Sequence, residues 1–88
     1  MEMNMRLKST TVTLSSERAV IDGYGDGVLM LSRIIKAKEG EYAFLITFSP
    51  LENFQGAIVL RRFPSILRAV RSYRRYILMS EEVKNGYI

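Results

Sequence analysis

The chain has 88 residues, a net charge of +4 and 48% hydrophobic residues. This length suits one small domain, which buries only about 60% of its unfolded-chain surface, and it excludes a multi-domain enzyme. The hydrophobic content is high for a lone small sheet, so we expect a homo-oligomer, most simply a dimer. Cysteine and histidine are absent, which excludes disulfides, thiolate metal sites and the commonest general base.

The remaining residues carry no catalytic or membrane-spanning pattern. The carboxylates are scattered through turns, the serines lack the context of a nucleophile, and no apolar run reaches the roughly 20 residues of a membrane helix. Asp22, Asp26 and Glu41 suit either a magnesium site or ordinary turns, and turns are the commoner role. We therefore predict a non-enzymatic protein without metal or cofactor. We expect it in the cytoplasm, with association with the nucleoid as a variant.

The first part of the chain predicts β-structure. Residues 10–14 alternate β-branched and apolar side chains, which is typical of a strand, and residues 19–21 predict a second short strand. The glycines of 23–27 predict a turn. These glycines also resemble a phosphate-binding loop. We do not predict such a loop, because β-rich residues follow where it needs a helix.

A hairpin formed by residues 28–38 and 41–49 is the clearest element of the pattern. A turn at 39–40 pairs Leu31 with Phe48 across its two strands. The face of Leu31 then carries apolar side chains and one exceptional charge: Ile35, Ala37, Tyr42, Phe44, Ile46 and Arg33. A core role is the commoner one for the aromatic side chains of this face.

The C-terminal part predicts one more strand and a helix. Residues 57–61 alternate again, and Pro64 suits the start of a helix. From residue 65 to about residue 79 the apolar period becomes 3.6, which predicts an amphipathic helix. Its apolar side comprises Ile66, Ala69, Val70, Tyr73 and Ile77, with Tyr76 at the edge. Residues 1–88 are thus predicted to form one α+β domain, an antiparallel sheet of four or five strands followed by one C-terminal helix, with fraying at 1–8 and 81–88.

The positive charge is concentrated in one segment. Residues 1–59 carry six basic and seven acidic side chains, whereas residues 60–80 carry six arginines and no acid. The planar fork of arginine matches phosphate oxygens, so this segment predicts a polyanionic partner, against the alternative of a solvated helix face. We predict phosphate contacts by Arg61, Arg62, Arg68, Arg71, Arg74, Arg75, Lys36 and Lys38. Phe54 and Phe63 are predicted to stack on bases.

Residues 41–77 resemble the Whirly-like group of single-stranded nucleic-acid binders, which includes the transcriptional positive cofactor domain, the plant Whirly proteins and the Pur-type repeats. The resemblance lies in a strand EYAFLITF, a loop, a strand GAIVLRR, a proline turn and a helix SILRAVRSYRRYI. It implies a curved sheet whose surfaces and edges hold the nucleic acid, a helix that helps to dimerise, and ligand roles for Lys36, Lys38, Arg61 and Arg62. It implies no role for the helix arginines. In size and basic character the chain also resembles the ThermoDBP-related single-stranded DNA-binding proteins of archaea.

The sequence therefore predicts a dimer that binds single-stranded nucleic acid, DNA in preference to RNA, with little sequence preference. Two alternatives stay open. A protein-interaction or assembly module would present the arginines to an acidic protein surface and bury the apolar surplus in an oligomer interface. A transcription regulator that binds duplex DNA would lay the arginine-rich helix along a groove.

Overall fold

The computed structural model describes residues 11–38, 41–52 and 56–85. They form a four-stranded antiparallel sheet followed by one C-terminal helix, with the strands in the order β1-β2-β3-β4. The elements are β1 (Thr11–Ile21), β2 (Gly25–Ile34), β3 (Phe44–Pro50), β4 (Ile58–Phe63) and α1 (Ile66–Lys84). The predicted α+β arrangement is confirmed, with four strands. Dimerisation stays a prediction.

Strand β1 is one long strand where the sequence pattern predicts two short ones. Its middle, residues 15–18, is polar and separates the two segments that the sequence predicts as strands. Because β1 lies at the edge of the sheet, most of its side chains face solvent and polar residues do not interrupt it. An irregularity in its pairing with β2, between Thr13 and Ser15, also disturbs the alternation of side chains.

The central hairpin has the predicted faces in a different register. Leu31 lies opposite Ile46, and Phe48 lies opposite Leu29. The predicted pairing of Leu31 with Phe48 is therefore wrong by two positions, because the observed register centres the hairpin one residue earlier in the chain than the predicted turn at 39–40. A shift of two positions leaves the side chains within β2 and β3 on their predicted faces. Ile35, predicted on the apolar face, follows the end of β2 and is 49% exposed. Tyr42 falls outside β3 and is 58% exposed, so it does not join the core.

Helix α1 begins after the N-cap residue Ser65, whose side-chain oxygen accepts a hydrogen bond from the Arg68 N–H at 3.3 Å. This contact satisfies one of the free N–H groups of the first turn. The helix ends at Lys84, so residues 81–84, which were expected to fray, are helical. No helix among the described residues combines the length and the apolarity needed to cross a bilayer.

The core lies between α1 and one face of the sheet. Its buried members come from every element: Ala19, Leu29, Leu31, Ile46, Phe48, Phe63, Ala69 and Tyr73. The predicted apolar side of the helix is confirmed except at Ile66, which begins the helix and is 40% exposed. At the other end of the helix, Ser80 accepts a hydrogen bond from the Val20 N–H at 2.8 Å. The helix therefore runs from the end of β4 to the end of β1.

The turn between β1 and β2 is confirmed. Gly23 and Gly25 have φ angles of 91° and 82°, in the left-handed region that favours glycine. Strand β2 begins at Gly25 itself. Because a strand and not a helix follows the glycines, this turn lacks the helix N-terminus with which a phosphate-binding loop holds its ligand.

Candidate nucleic-acid interface

Helix α1 presents four arginines to solvent. Its inward side is formed by Ala69, Tyr73 and Ser80, and the arginines lie on the opposite side among other exposed residues. At 3.6 residues per turn they spread over about 120° of the helix surface. Arg74 lies on the flank beside β1, where it shares a groove with Glu17. The others cover the top and the flank beside β4: Arg71, Arg75 and Arg68.

A cleft between β4 and α1 adds a fifth arginine. Arg61 projects from β4 on the helix side of the sheet and meets Arg75 there. The cleft has a volume of about 210 Å³ and is lined by Arg61, Ser72, Arg75, Tyr76 and Met79. The Arg61 guanidinium also lies over the Phe63 ring, 5.4 Å from its centroid, and this contact restrains the side chain. Two arginines, a serine and a tyrosine from the consecutive elements β4 and α1 thus line one cleft.

These five residues, Arg61, Arg68, Arg71, Arg74 and Arg75, are called the arginine surface below. Among the described residues, no carboxylate lies within 4.0 Å of their guanidinium nitrogens. Glu17 approaches Arg74 across their groove but makes no ion pair within that distance. The positive charge of the arginine surface is therefore not neutralised by the neighbouring acids that the structure describes, and it is available to an anionic partner.

Arg18 has a different environment, on the face of the sheet away from α1. Its guanidinium nitrogen lies 2.9 Å from the Asp26 carboxylate. The hydrogen bond from Arg18 holds the pKa of Asp26 below its ordinary value of 3.8, and the Asp26 carboxylate in turn raises the pKa of Arg18. Asp26 is therefore ionised at neutral pH and offsets the charge of Arg18. Asp26, the second residue of β2, thus lies next to the turn and pairs with Arg18 of β1.

The other predicted basic residues lie outside the arginine surface. Arg62 pairs with Leu45 on the face of the sheet away from the helix. Side chains alternate along a strand, so the consecutive Arg61 and Arg62 cannot share a face. Lys36 and Lys38 follow the end of β2 in the connection to β3, because β2 stops earlier than predicted. The eight predicted basic residues therefore do not form one continuous patch.

Of the aromatic side chains beside the arginine surface, the one that lines the cleft is not one of the two that the sequence predicted to stack on bases. Phe63 is 7% exposed and belongs to the core, so its ring has no free face for a base and the prediction is wrong. Phe54 lies outside the described residues. Tyr76 lines the cleft instead, partly buried. The sequence signal for this position is its place at the edge of the apolar side of the helix, because a side chain there contacts both the core and the solvent.

Comparison of the chain with protein-family models, with curated proteins and with solved structures finds no match. The resemblance to the Whirly-like group therefore stays a prediction. The order of sheet and helix shared with that group does not by itself establish function. The arginine surface and its cleft are the features from which a function is argued here.

Proposed function

We propose that this protein binds single-stranded nucleic acid through its phosphate groups, with little sequence preference. The observation that carries the proposal is the arginine surface, five exposed arginines on one side of the molecule without a paired carboxylate among the described residues. Each guanidinium offers a fork of donors that suits two phosphate oxygens. Phosphate contacts carry no sequence information, so such a surface binds strands of differing sequence with similar affinity.

The curvature of the arginine surface favours a single strand over a duplex. The arginines are spread around the convex side of a helix, over about 120°. A flexible single strand can follow this surface, whereas duplex DNA, which is stiff over about 150 base pairs, contacts both flanks of the helix only when the helix enters a groove. The cleft of about 210 Å³ between Arg61 and Arg75 also suits one sugar-phosphate unit with Tyr76 at its wall.

The proposal is tested by removing two charges from the arginine surface. The variant Arg61→Gln with Arg75→Gln empties the cleft of its guanidinium groups. We expect weaker binding of oligo-dT and of oligo-U, and a log–log salt slope that is less steep by about 1.4, since each lost contact on a single strand contributes about 0.7. Fluorescence anisotropy at several salt concentrations measures both quantities.

The matched control removes the same charge elsewhere. Lys36→Gln with Arg62→Gln lowers the net charge equally but leaves the arginine surface intact. We expect a smaller loss of affinity than in the cleft variant, and a salt slope close to that of the unmodified protein. If the control loses as much binding as the cleft variant, or more, the binding site lies on the sheet face and its connecting loop and the proposal fails.

A protein-interaction module is a second candidate, favoured by apolar side chains on the outer face of α1. Leu67, Leu78 and Met79 are 74%, 65% and 54% exposed among the arginines. A surface that mixes arginines with exposed apolar side chains suits an acidic partner protein, whose apolar pockets would hold these side chains. Nuclease treatment of a cell extract separates the two functions, because a nucleic-acid partner is then lost from the immobilised protein whereas a protein partner is retained.

A further inference from the structure

Arg33 is a charged residue on the otherwise apolar side of β2. Its Cα is paired with that of Phe44, on the side of the sheet that α1 covers elsewhere. Arg33 is nevertheless exposed, since it lies near the end of the sheet where the helix only begins. The Arg33 guanidinium lies over the Phe44 ring, 5.9 Å from its centroid. The ring thus supports one side of the guanidinium and leaves the other side to solvent.

A groove of about 290 Å³ opens beside this pair. Its lining combines apolar and basic side chains, including Arg33, Ala37, Lys38, Phe44, Pro64 and Ile66. Among the described residues, the Glu41 carboxylate lies near the groove and accepts a hydrogen bond from the backbone N–H of Lys38 at 2.8 Å. The groove therefore presents a flat cation on an aromatic ring, a flexible ammonium group and an apolar wall.

We propose that this groove holds one nucleotide of a bound strand, with the base stacked on the Arg33 guanidinium and a phosphate beside the Lys38 ammonium. The proposal rests on the proposed function for the strand itself. Proteins that read unpaired bases stack them on aromatic rings and on arginine planes. The volume lies at the lower end of ligand pockets, about 300 Å³, which suits one nucleotide and excludes an oligonucleotide.

The position of the groove agrees with this assignment. Ser65, which also lines the groove, is the N-cap of α1, and Arg68 follows in the first turn of the helix. A strand that leaves the groove therefore reaches the arginine surface within one helical turn. The arginine surface supplies charge along the strand, and the groove supplies the stacking platform that the buried Phe63 cannot supply.

The test separates stacking from charge. Arg33→Lys keeps the positive charge but removes the guanidinium plane. We expect about tenfold weaker binding of oligo-dT, the scale of one lost base stack, with an unchanged salt slope. The matched control Arg62→Lys makes the same exchange on the other face of the sheet, and we expect no change. Affinity of Arg33→Lys within about twofold of the unmodified protein would overturn the proposal.

A second measurement does not require a bound strand. Thymidine 5′-monophosphate and inorganic phosphate are titrated separately while the Nε–Hε signal of Arg33 is followed by NMR. We expect the mononucleotide to shift this signal and inorganic phosphate to shift it much less. Equal shifts from both, or no shift from either, would overturn the stacking site. A shift from the mononucleotide in a protein that binds no oligonucleotide would support the groove and contradict the proposed function.

Discussion

Ser80 shows how one polar side chain holds the end of the helix on the edge strand. It is 1% exposed and accepts the hydrogen bond from Val20 N–H at 2.8 Å. In Ser80→Ala this amide loses its partner, which costs about 1–2 kcal/mol, less a few tenths because alanine favours the helix. Urea denaturation at neutral pH measures the loss. The control Ser16→Ala changes an exposed position of β1, and an equal loss in both variants would contradict the assigned role.

Tyr73 connects the core to the pH dependence of stability. It is 6% exposed and its hydroxyl donates a hydrogen bond to the Leu29 carbonyl at 3.4 Å. Burial raises the pKa of Tyr73 above its ordinary value of 10.0. The unfolded chain therefore ionises at a lower pH than the folded chain. The resulting stability is present below about pH 10 and is lost as the pH rises through the folded-state pKa.

The variant Tyr73→Phe tests this linkage, because phenylalanine keeps the ring and cannot ionise. We expect the free energy of unfolding of the unmodified protein to fall relative to that of Tyr73→Phe when the pH is raised from about 8 to about 11. Urea denaturation of both proteins at each pH measures the difference. A difference that is the same at the two pH values would show that burial does not shift this group.

At the scale of elements, β2 and β3 pack closely at Gly27. A Cβ atom at this position would lie 2.6 Å from the tip of the Phe48 ring, which is fully buried. Neither the ring nor the neighbouring backbone of β3 has room to move away. We expect Gly27→Ala to lower the free energy of unfolding by about 2 kcal/mol, the scale of an overpacked core, as measured by urea denaturation. A change below about 0.5 kcal/mol would contradict the packing described.

The elements were predictable to the extent that periodicity determines them. The alternation in β2 and β3 specified which side chains share a face, and the helical period specified the buried Ala69 and Tyr73. The register of the hairpin was not predictable, because a shift of two positions satisfies the same alternation. The polar middle of β1 also made one continuous strand look like two. An edge strand exposes most of its side chains, so apolar residues need not alternate along its whole length.

The candidate site was predictable only in part. At 3.6 residues per turn Arg68, Arg71 and Arg75 fall on the side of the helix opposite its apolar residues, and all three are exposed. Arg61 and Arg75 line the same cleft because of the way the helix crosses the sheet. No local sequence pattern predicts that crossing. The sequence placed Tyr76 only at the edge of the apolar side of the helix and did not predict that it lines a cleft. Tertiary packing, rather than the composition of the arginine segment, determines which arginines share a surface.

At the scale of the whole molecule, the two faces of the sheet differ in charge. The helix side carries the arginine surface, whereas the described charges on the other face include the neutralised pair of Arg18 and Asp26. The net charge of +4 is therefore unevenly distributed, with the arginine surface as a concentration of positive charge on the helix side. This asymmetry orients an approaching polyanion toward α1 and the cleft.

The most direct test of this account is the salt dependence of oligonucleotide binding. Fluorescence anisotropy of labelled oligo-dT, and of a duplex of equal length, is measured between about 50 and about 200 mM salt. Five contacts from the arginine surface predict a log–log slope of about −3.5 for the single strand, with the single strand bound more tightly than the duplex. A slope near zero, or tighter binding of the duplex, would contradict binding of a single strand through the arginine surface.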